Sequence, residues 1–444
     1  MKSFFKSLYL QQRLFIIVLI MIVLFVASYF YSGLFFWIQM LFFGFLGFIA
    51  LDVLLLYKTK NGVNASRTLP EKLSNGDDNP IVLSVHSEYP FQIFCRVIDE
   101  LPVQFQRRDF DISFSLSPRT SREIDYTLRP VERGQYHFGA VHIFSKTKLG
   151  LIARRQSYAS EAMVPTYPSF LQLKKYEFIA FTNRLQHFGL KKIRRIGHTM
   201  EFEQIKDYVP GDDIRTINWK ATAKRNHLMV NQFQDEKSQP VYSVIDMGRV
   251  MQMPFNRLSL LDYAINATLV ISSIALKKQD KAGFFTFSKQ LQNTVVAQRR
   301  PSQMNLIMES LYAIRTKFEE SSFERLYVDI KRTLNQRSLL LLYTNFETLD
   351  ALERQIKYLQ AIAKHHLLVV IFFKNTELID SLEQSAESTL QIYEKTIIEK
   401  FIYEKKMIVN ELQNRGIHTI LTSPEDLTIN TINKYLEIKA RGLL

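Results

Sequence analysis

The chain has a single cysteine, Cys95, in 444 residues. That excludes an internal disulfide framework and any site built from several thiolates, and it suits a reducing compartment. There is no phosphate-cradling G-x-x-x-x-G-K-[ST] loop and no G-x-S-x-G nucleophile elbow. The nine histidines are scattered; the one pair, His365-His366, falls at a predicted helix end, where a polar tip suits the helix dipole. Internal repeats and low-complexity tracts are also missing. Disorder is excluded too, because 47% of residues are hydrophobic and 23% charged.

Charge is missing in one place above all. Residues 14–31, "LFIIVLIMIVLFVASYFY", carry none, and residues 34–57 carry only Asp52. Each run is long enough for a hydrocarbon core of about 30 Å. The thirteen Leu, Ile, Val and Phe of the first run favour insertion by about 4 to 8 kcal/mol. Asp52 costs at most about 3 kcal/mol, and less towards the helix end. A cleaved signal peptide is disfavoured, since the first run lacks a small-x-small site and a second apolar run follows at once. The reading is a transmembrane hairpin, with helices at about 14–32 and 34–57 turning at Ser32-Gly33. Lys2, Lys6 and Arg13 precede it and Lys58, Lys60 and Arg67 follow it. Positive charge on both flanks predicts a two-pass protein of the inner (cytoplasmic) membrane, with both termini and the bulk of the chain cytoplasmic.

The texture then changes. Residues 58–80 are rich in Asn, Gly, Ser and Asp and read as a linker. Residues 81–168 hold short aromatic or β-branched runs, separated by turn residues about every ten positions, which predicts an all-β sandwich. A basic connector follows at 169–238. From 239 to 444 apolar strands such as "PVYSVIDM" and "SLLLLYTNF" alternate with helical segments, which predicts a mainly parallel, Rossmann-type α/β domain with both faces covered. The fold class is therefore multidomain: helical hairpin, β-sandwich, α/β domain.

Of the net charge of +14, a net +5 falls in the connector, where residues 184–225 carry ten Lys/Arg against five Asp/Glu. No recognisable nucleic-acid module accompanies it. Lys191, Lys192, Arg194 and Arg195 suit either anionic lipid contact, worth roughly 1 kcal/mol per residue, or a plain solvated surface. Glu399, Glu404 and their neighbouring lysines read as a solvated helix face.

Asp246 ends the strand "VYSVID" at the sheet edge where ligands sit in open α/β domains. The arrangement resembles a von Willebrand factor A-like domain. That family's metal site begins Asp-x-Ser-x-Ser and adds a threonine and a second aspartate from later loops. Here Gly248 and Val250 stand where the serines would be and Asn345 where the second aspartate would be; Ser321 or Ser322 stands in for the threonine. Magnesium demands near-ideal oxygen ligation at about 2.1 Å, so the resemblance implies a degenerate site and no metal or other cofactor. A metal-dependent adhesion module at Asp246 is the alternative.

The stretch "EFEQIKDYVPGDDIRTINWKATAKRNHLMVNQF" (residues 201–233) is charged, aromatic and turn-rich. Pro210-Gly211 predicts a tight turn. Asp212, Asp213 and Arg215 crowd charge into four residues and need partners. Trp219 is large enough to anchor the segment on the α/β domain or on another protein. Two readings stay open: a joint clamping the β-sandwich to the α/β domain by salt bridges, and a partner-docking surface. The carboxylates have no base, nucleophile or pocket beside them to make a catalytic pair, so no enzyme is predicted. Glu201, Phe202, Tyr208, Pro210, Gly211, Asp212, Asp213, Arg215, Ile217, Asn218, Trp219, Lys220, Thr222 and Ala223 follow an order and spacing that resemble the signature of the domain of unknown function 58 family, with Lys206 and Lys224 replacing its arginines. The resemblance implies the whole layout, from hairpin to von Willebrand A-like domain. It also implies a partner, a MoxR-type AAA+ ATPase, and a binding or scaffold role in envelope assembly, stress handling or metal insertion. The interface it suggests is the signature plus the sheet edge at residues 246–250, Ser321-Ser322 and Thr344-Asn345.

Overall fold

The computed structural model describes residues 2–107, 109–159, 161–173, 176, 200–210, 212–235, 238–383 and 388–443. The basic residues Lys191, Lys192, Arg194 and Arg195 lie outside them. The chain forms two units, Met1–Tyr167 and Pro168–Leu444.

The first unit begins with the short helix α1 (Lys2–Ser7) and strand β1 (Leu8–Leu10), followed by the two apolar helices α2 (Gln12–Phe30) and α3 (Phe35–Lys58), joined by a short 3-10 turn at Ser32–Leu34. Most of their side chains are exposed, as an apolar surface meant for lipid would be. A third helix, Leu260–Lys277, is also long and apolar enough to cross a membrane, but it is buried in the second unit.

The β-region of this unit adds β2 (Val63–Thr68), β3 (Leu73–Ser74), β4 (Asn79–Ser87), β5 (Ile93–Asp99), β6 (Ile112–Leu116), β7 (Ser121–Leu128), β8 (Gly134–Phe138), β9 (Val141–Lys146), β10 (Ile152–Tyr158) and β11 (Ala162–Tyr167). It forms three sheets, in the strand orders β1-β10-β9-β5-β6, β2-β4-β7 and β3-β11-β8. Val63, Leu83, Val85 and Ile124 from the second sheet share one core with Cys95, Val97, Val141 and Ile143 from the first. Cys95 lies on β5 (Ile93–Asp99), and burial pushes its thiol up to about 12. Leu14, Phe45 and Leu56 of the helical hairpin reach into the same core.

The linker expected at 58–80 is corrected. Strand β2 (Val63–Thr68) pairs antiparallel with β4 (Asn79–Ser87), and β3 (Leu73–Ser74) pairs with β11 (Ala162–Tyr167). Polar residues misled the composition reading because Asn64, Ser66 and Thr68 alternate with the inward-facing Val63, Ala65 and Arg67 on a half-buried strand. Arg67 makes a buried ion pair with Asp99.

Asp52, on α3, is buried, and its carboxylate accepts the Thr147 hydroxyl and the N–H groups of Leu151 and Ile152, the latter two at 3.1 Å. Three donors offset most of the cost of burying the charge. Arg154 then caps the end of α3, donating to the carbonyls of Leu56, Thr59 and Lys60 at 2.7–2.8 Å. Together with β1, which pairs with β10 (Ile152–Tyr158), these bonds tie both ends of the hairpin to one edge of the β-region.

The second unit holds two short antiparallel pairs, β12 (Met200–Asp207) with β13 (Met229–Asp235) and β15 (Pro254–Phe255) with β16 (Leu258–Ser259), and is built on a six-stranded sheet: β14 (Pro240–Asp246), β17 (Lys281–Phe287), β18 (Leu291–Gln298), β19 (Leu339–Tyr343), β20 (Leu367–Phe373) and β21 (His418–Thr422). The spatial order is β18-β17-β14-β19-β20-β21, or 3-2-1-4-5-6 counted within the sheet. All neighbours are parallel except the hairpin partner β18. Side chains alternate between two cores. Leu339, Leu341 and Tyr343 face the layer containing Leu260–Lys277, and Leu340 and Leu342 face the layer containing Phe323–Thr333 and Leu349–Ala363. Full burial on both faces explains the continuous apolar runs. The last helix starts later than its Ser423-Pro424 signal, at Leu427, and runs to Arg441. Ser423 instead bonds Asp426 in the preceding turn.

Candidate functional site

The signature forms an arm. Strands β12 (Met200–Asp207) and β13 (Met229–Asp235) pair antiparallel, and between them lie a 3-10 turn, Ile214–Thr216, and a short helix, Trp219–Arg225. The sequence closes this connection on itself. Asp212 accepts the Val209 N–H and the Lys206 ammonium, both at 3.1 Å, and these hold its carboxyl below the ordinary range, the N–H contributing most. Asp213 caps the 3-10 turn by accepting the Arg215 N–H at 3.0 Å. Asn218 caps the helix through the Ala221 N–H at 3.0 Å and donates to Asn231 across the hairpin. Asn226 ends the helix in the left-handed region, at φ 61°.

The acidic pair therefore serves turns and caps within the arm. Trp219 is 70% exposed, so the expectation that it anchors the segment on the α/β domain is corrected. Ile214 is 71% exposed and Val209 56%, and Pro210, Lys220 and Ala223 are exposed as well. Tyr208 is half-buried, with its N–H on the Leu228 carbonyl. Glu201 and Phe202 sit on β12, with side chains outside the described residues, as is the whole of Gly211.

At the sheet edge, the strand order reverses between β14 and β19, the usual ligand crevice of an open α/β sheet. Asp246 sits there, fully buried. It accepts the Ser321 hydroxyl and, at 2.8 Å, the Gly248 N–H on one oxygen, and the Thr344 hydroxyl at 2.7 Å on the other. Burial pushes its carboxyl up, and these three donors oppose that. A side chain at Gly248 would overlap Ser321 Oγ. Val250 packs against the core. Asn345 turns its Oδ1 to Lys405, 2.7 Å away.

These residues do not fit a magnesium octahedron. The one buried carboxylate of the crevice already has its oxygens engaged, and Ser321 fills the place of the first missing serine. Among the described residues no group of three or more His, Cys, Asp or Glu could hold a metal ion. Sequence reasoning brought Asp246, Gly248, Ser321 and Asn345 to one edge. It missed Thr344 as a donor to Asp246, and it missed Lys405 altogether. Lys405 was read as part of a solvated helix face. It occupies one position of the stripe Phe401, Lys405, Ile408, Leu412, whose helical spacing was the available signal.

Comparison with known proteins adds the family. Residues 204–385 match the model of the family described as "Protein of unknown function DUF58". That stretch is similar to the DUF58 family. It contains most of the arm and all of Asp246, Ser321 and Asn345, and it ends before Lys405. The chain is also 27% identical over 244 residues to a DUF58 relative, "Uncharacterized protein YeaD" of Bacillus subtilis (strain 168). The alignment covers 53% of this chain and 60% of that relative. Among solved structures, the CARDB domain of the PF1109 protein from Pyrococcus furiosus aligns to 24% of this chain and 93% of its own, at 10% identity and a TM-score of 0.18. The PapD-like domain 7 of human CEP192 aligns to 24% of this chain and 87% of its own, at 12% identity and a TM-score of 0.20. At those scores neither likeness bears on fold or function.

Proposed function

We propose that this DUF58 protein is a membrane-anchored docking protein without enzymatic activity, whose arm engages a MoxR-type AAA+ ATPase. The observation that carries the reading is the exposure of Trp219, Ile214 and Val209 on an arm whose Asp212, Asp213 and Asn218 are already satisfied within it. Large exposed aliphatic and aromatic side chains on a locally rigid element are what a partner's pocket takes up. The ATPase itself is implied by the family resemblance, as is a role in envelope assembly or stress handling. The 3-2-1-4-5-6 order with one antiparallel edge strand supports reading the α/β domain as von Willebrand A-like. Lysines and arginines on both flanks of the hairpin favour a cytoplasmic side for the arm. Engagement of both Asp246 oxygens argues against the alternative of a metal-dependent adhesion module.

The test is affinity capture of the full chain, solubilised with and without ATP, comparing wild type with Trp219→Ala. A MoxR-type ATPase that co-elutes with wild type and is lost with Trp219→Ala supports the reading. Equal co-elution, or none with wild type, overturns it. Trp219 is too exposed for its loss to unfold the sheet, which the same preparation shows by an unchanged melt.

A further inference from the structure

The sheet edge has a second compartment beyond Asn345. A cavity of about 370 Å³ opens between the ends of β20 and β21, the segment 253–255 and the helix Thr389–Asn414. Its wall is apolar, formed by Met253, Phe255, Phe373, Leu378, Phe401 and Leu421. The volume falls at the small end of the roughly 300–1,000 Å³ range of ligand sites.

Lys405 lines this cavity. Its ammonium donates to Asn345 Oδ1 at 2.7 Å and to the Phe346 carbonyl, and it lies 5.8 Å from the centre of the Phe372 ring. An ammonium has three N–H donors, and these two acceptors are neutral. No carboxylate forms an ion pair with it among the described residues; the exposed Glu347 at the rim acts on it only through space. A charge taken out of water and met only by neutral acceptors is costly, and an anion entering the cavity would relieve that cost.

We propose that this cavity binds a small amphipathic carboxylic acid, its carboxylate on the Lys405 ammonium and its apolar body against Phe373, Leu378 and Phe401. One half-buried cation with one N–H unpartnered among the described residues matches a single negative charge. A dianionic phosphate, with three acceptor oxygens, would be left short of donors. The other charged lining groups are Lys374 from the end of β20 and Lys406 from the Lys405 helix, both exposed; with Glu347 they leave the rim net positive once Lys405 is counted.

Burial pushes the Lys405 ammonium down to about 8, with Glu347 opposing. The ligand is anionic above about pH 5. Binding is therefore strongest between those limits and declines as pH rises past 8, the bound anion displacing the midpoint upward.

The experiment is a calorimetric titration of the full chain in lipid nanodiscs with octanoate and with its neutral isostere octanamide. Octanoate should bind saturably at one site at pH 7. Octanamide, and octanoate on Lys405→Met, should each bind at least about ten-fold more weakly, as loss of a charge-assisted hydrogen bond requires. Equal affinity for the two ligands, unchanged affinity of Lys405→Met, or no saturable octanoate binding by wild type would overturn the proposal. Should Lys405→Met fail to fold, octanoate against octanamide on wild type at pH 7 and pH 9.5 decides the matter alone. This site does not rest on the docking role of the arm, and either can fail without the other.

Discussion

The arm and the sheet edge deal with polar groups in opposite ways. In the arm, Asp212, Asp213 and Asn218 are satisfied by neighbours a few residues away, and the apolar side chains are left outside. At the sheet edge, Asp246 is satisfied by Ser321 and Thr344, 75 and 98 residues away in sequence, and lies fully buried. The local device makes a self-contained element that keeps its shape while presenting apolar groups. The long-range device makes a rigid edge with no carboxylate oxygen to spare. A strong motif in sequence thus marks an outward surface, while Asp246, the residue that looks most like a metal ligand, is held by buried hydrogen bonds.

Substitutions should separate the two regions, and hydrogen exchange on the full chain reads them separately because it resolves local stability. The largest effect is expected from Asp246→Ala. It leaves the Gly248 N–H and the buried Thr344 hydroxyl without their acceptor, at a cost of about 2–4 kcal/mol, seen as faster exchange in β14 and β19. Asp246→Asn sharpens the point through pH. Burial holds this carboxyl above its unfolded value of about 3.9, so with rising pH the unfolded chain releases its proton first. The stability from this group is greatest below about pH 4, declines as pH rises through the folded value, and is level above it. The asparagine variant should lose that slope, and an identical slope would mean that Asp246 is not the buried acid described.

Gly248→Ser comes next. Its side chain would meet Ser321 Oγ, an overpacking worth about 1–3 kcal/mol, and added Mg²⁺ should not restore the melting temperature. Rescue by Mg²⁺ would show that the restored serine rebuilds a cation site. The smallest effect is expected from Asn218→Ala, a lost helix cap of about 1 kcal/mol. Faster exchange should be confined to residues 219–226; spread into the six-stranded sheet would show that the arm and sheet are one cooperative unit.

Much of the α/β domain was legible because its strands are buried on both faces and so read as unbroken apolar runs between amphipathic helices. The order of its strands was not, since parallel neighbours are joined by long crossovers that leave no local trace. The segment 58–80 was misread because a half-buried strand of Asn64, Ser66 and Arg67 has the composition of a loop. Lys405 was misread because its charge outweighed its place in an apolar stripe.

The sequence by itself determined the two apolar helices, the alternation of strands and helices from residue 239 onward, and the arm's turns and caps. Each of these rests on hydrophobic length, periodicity or side-chain-to-backbone bonds within a few residues. Only the tertiary structure decided what the isolated charges do. Asp52 meets Thr147, Leu151 and Ile152 nearly a hundred residues on, Asp246 meets Thr344, and Lys405 reaches back to Asn345 across the sheet edge. A buried charge is stable only with its partners around it, and those partners are brought to it by the fold and not by proximity along the chain.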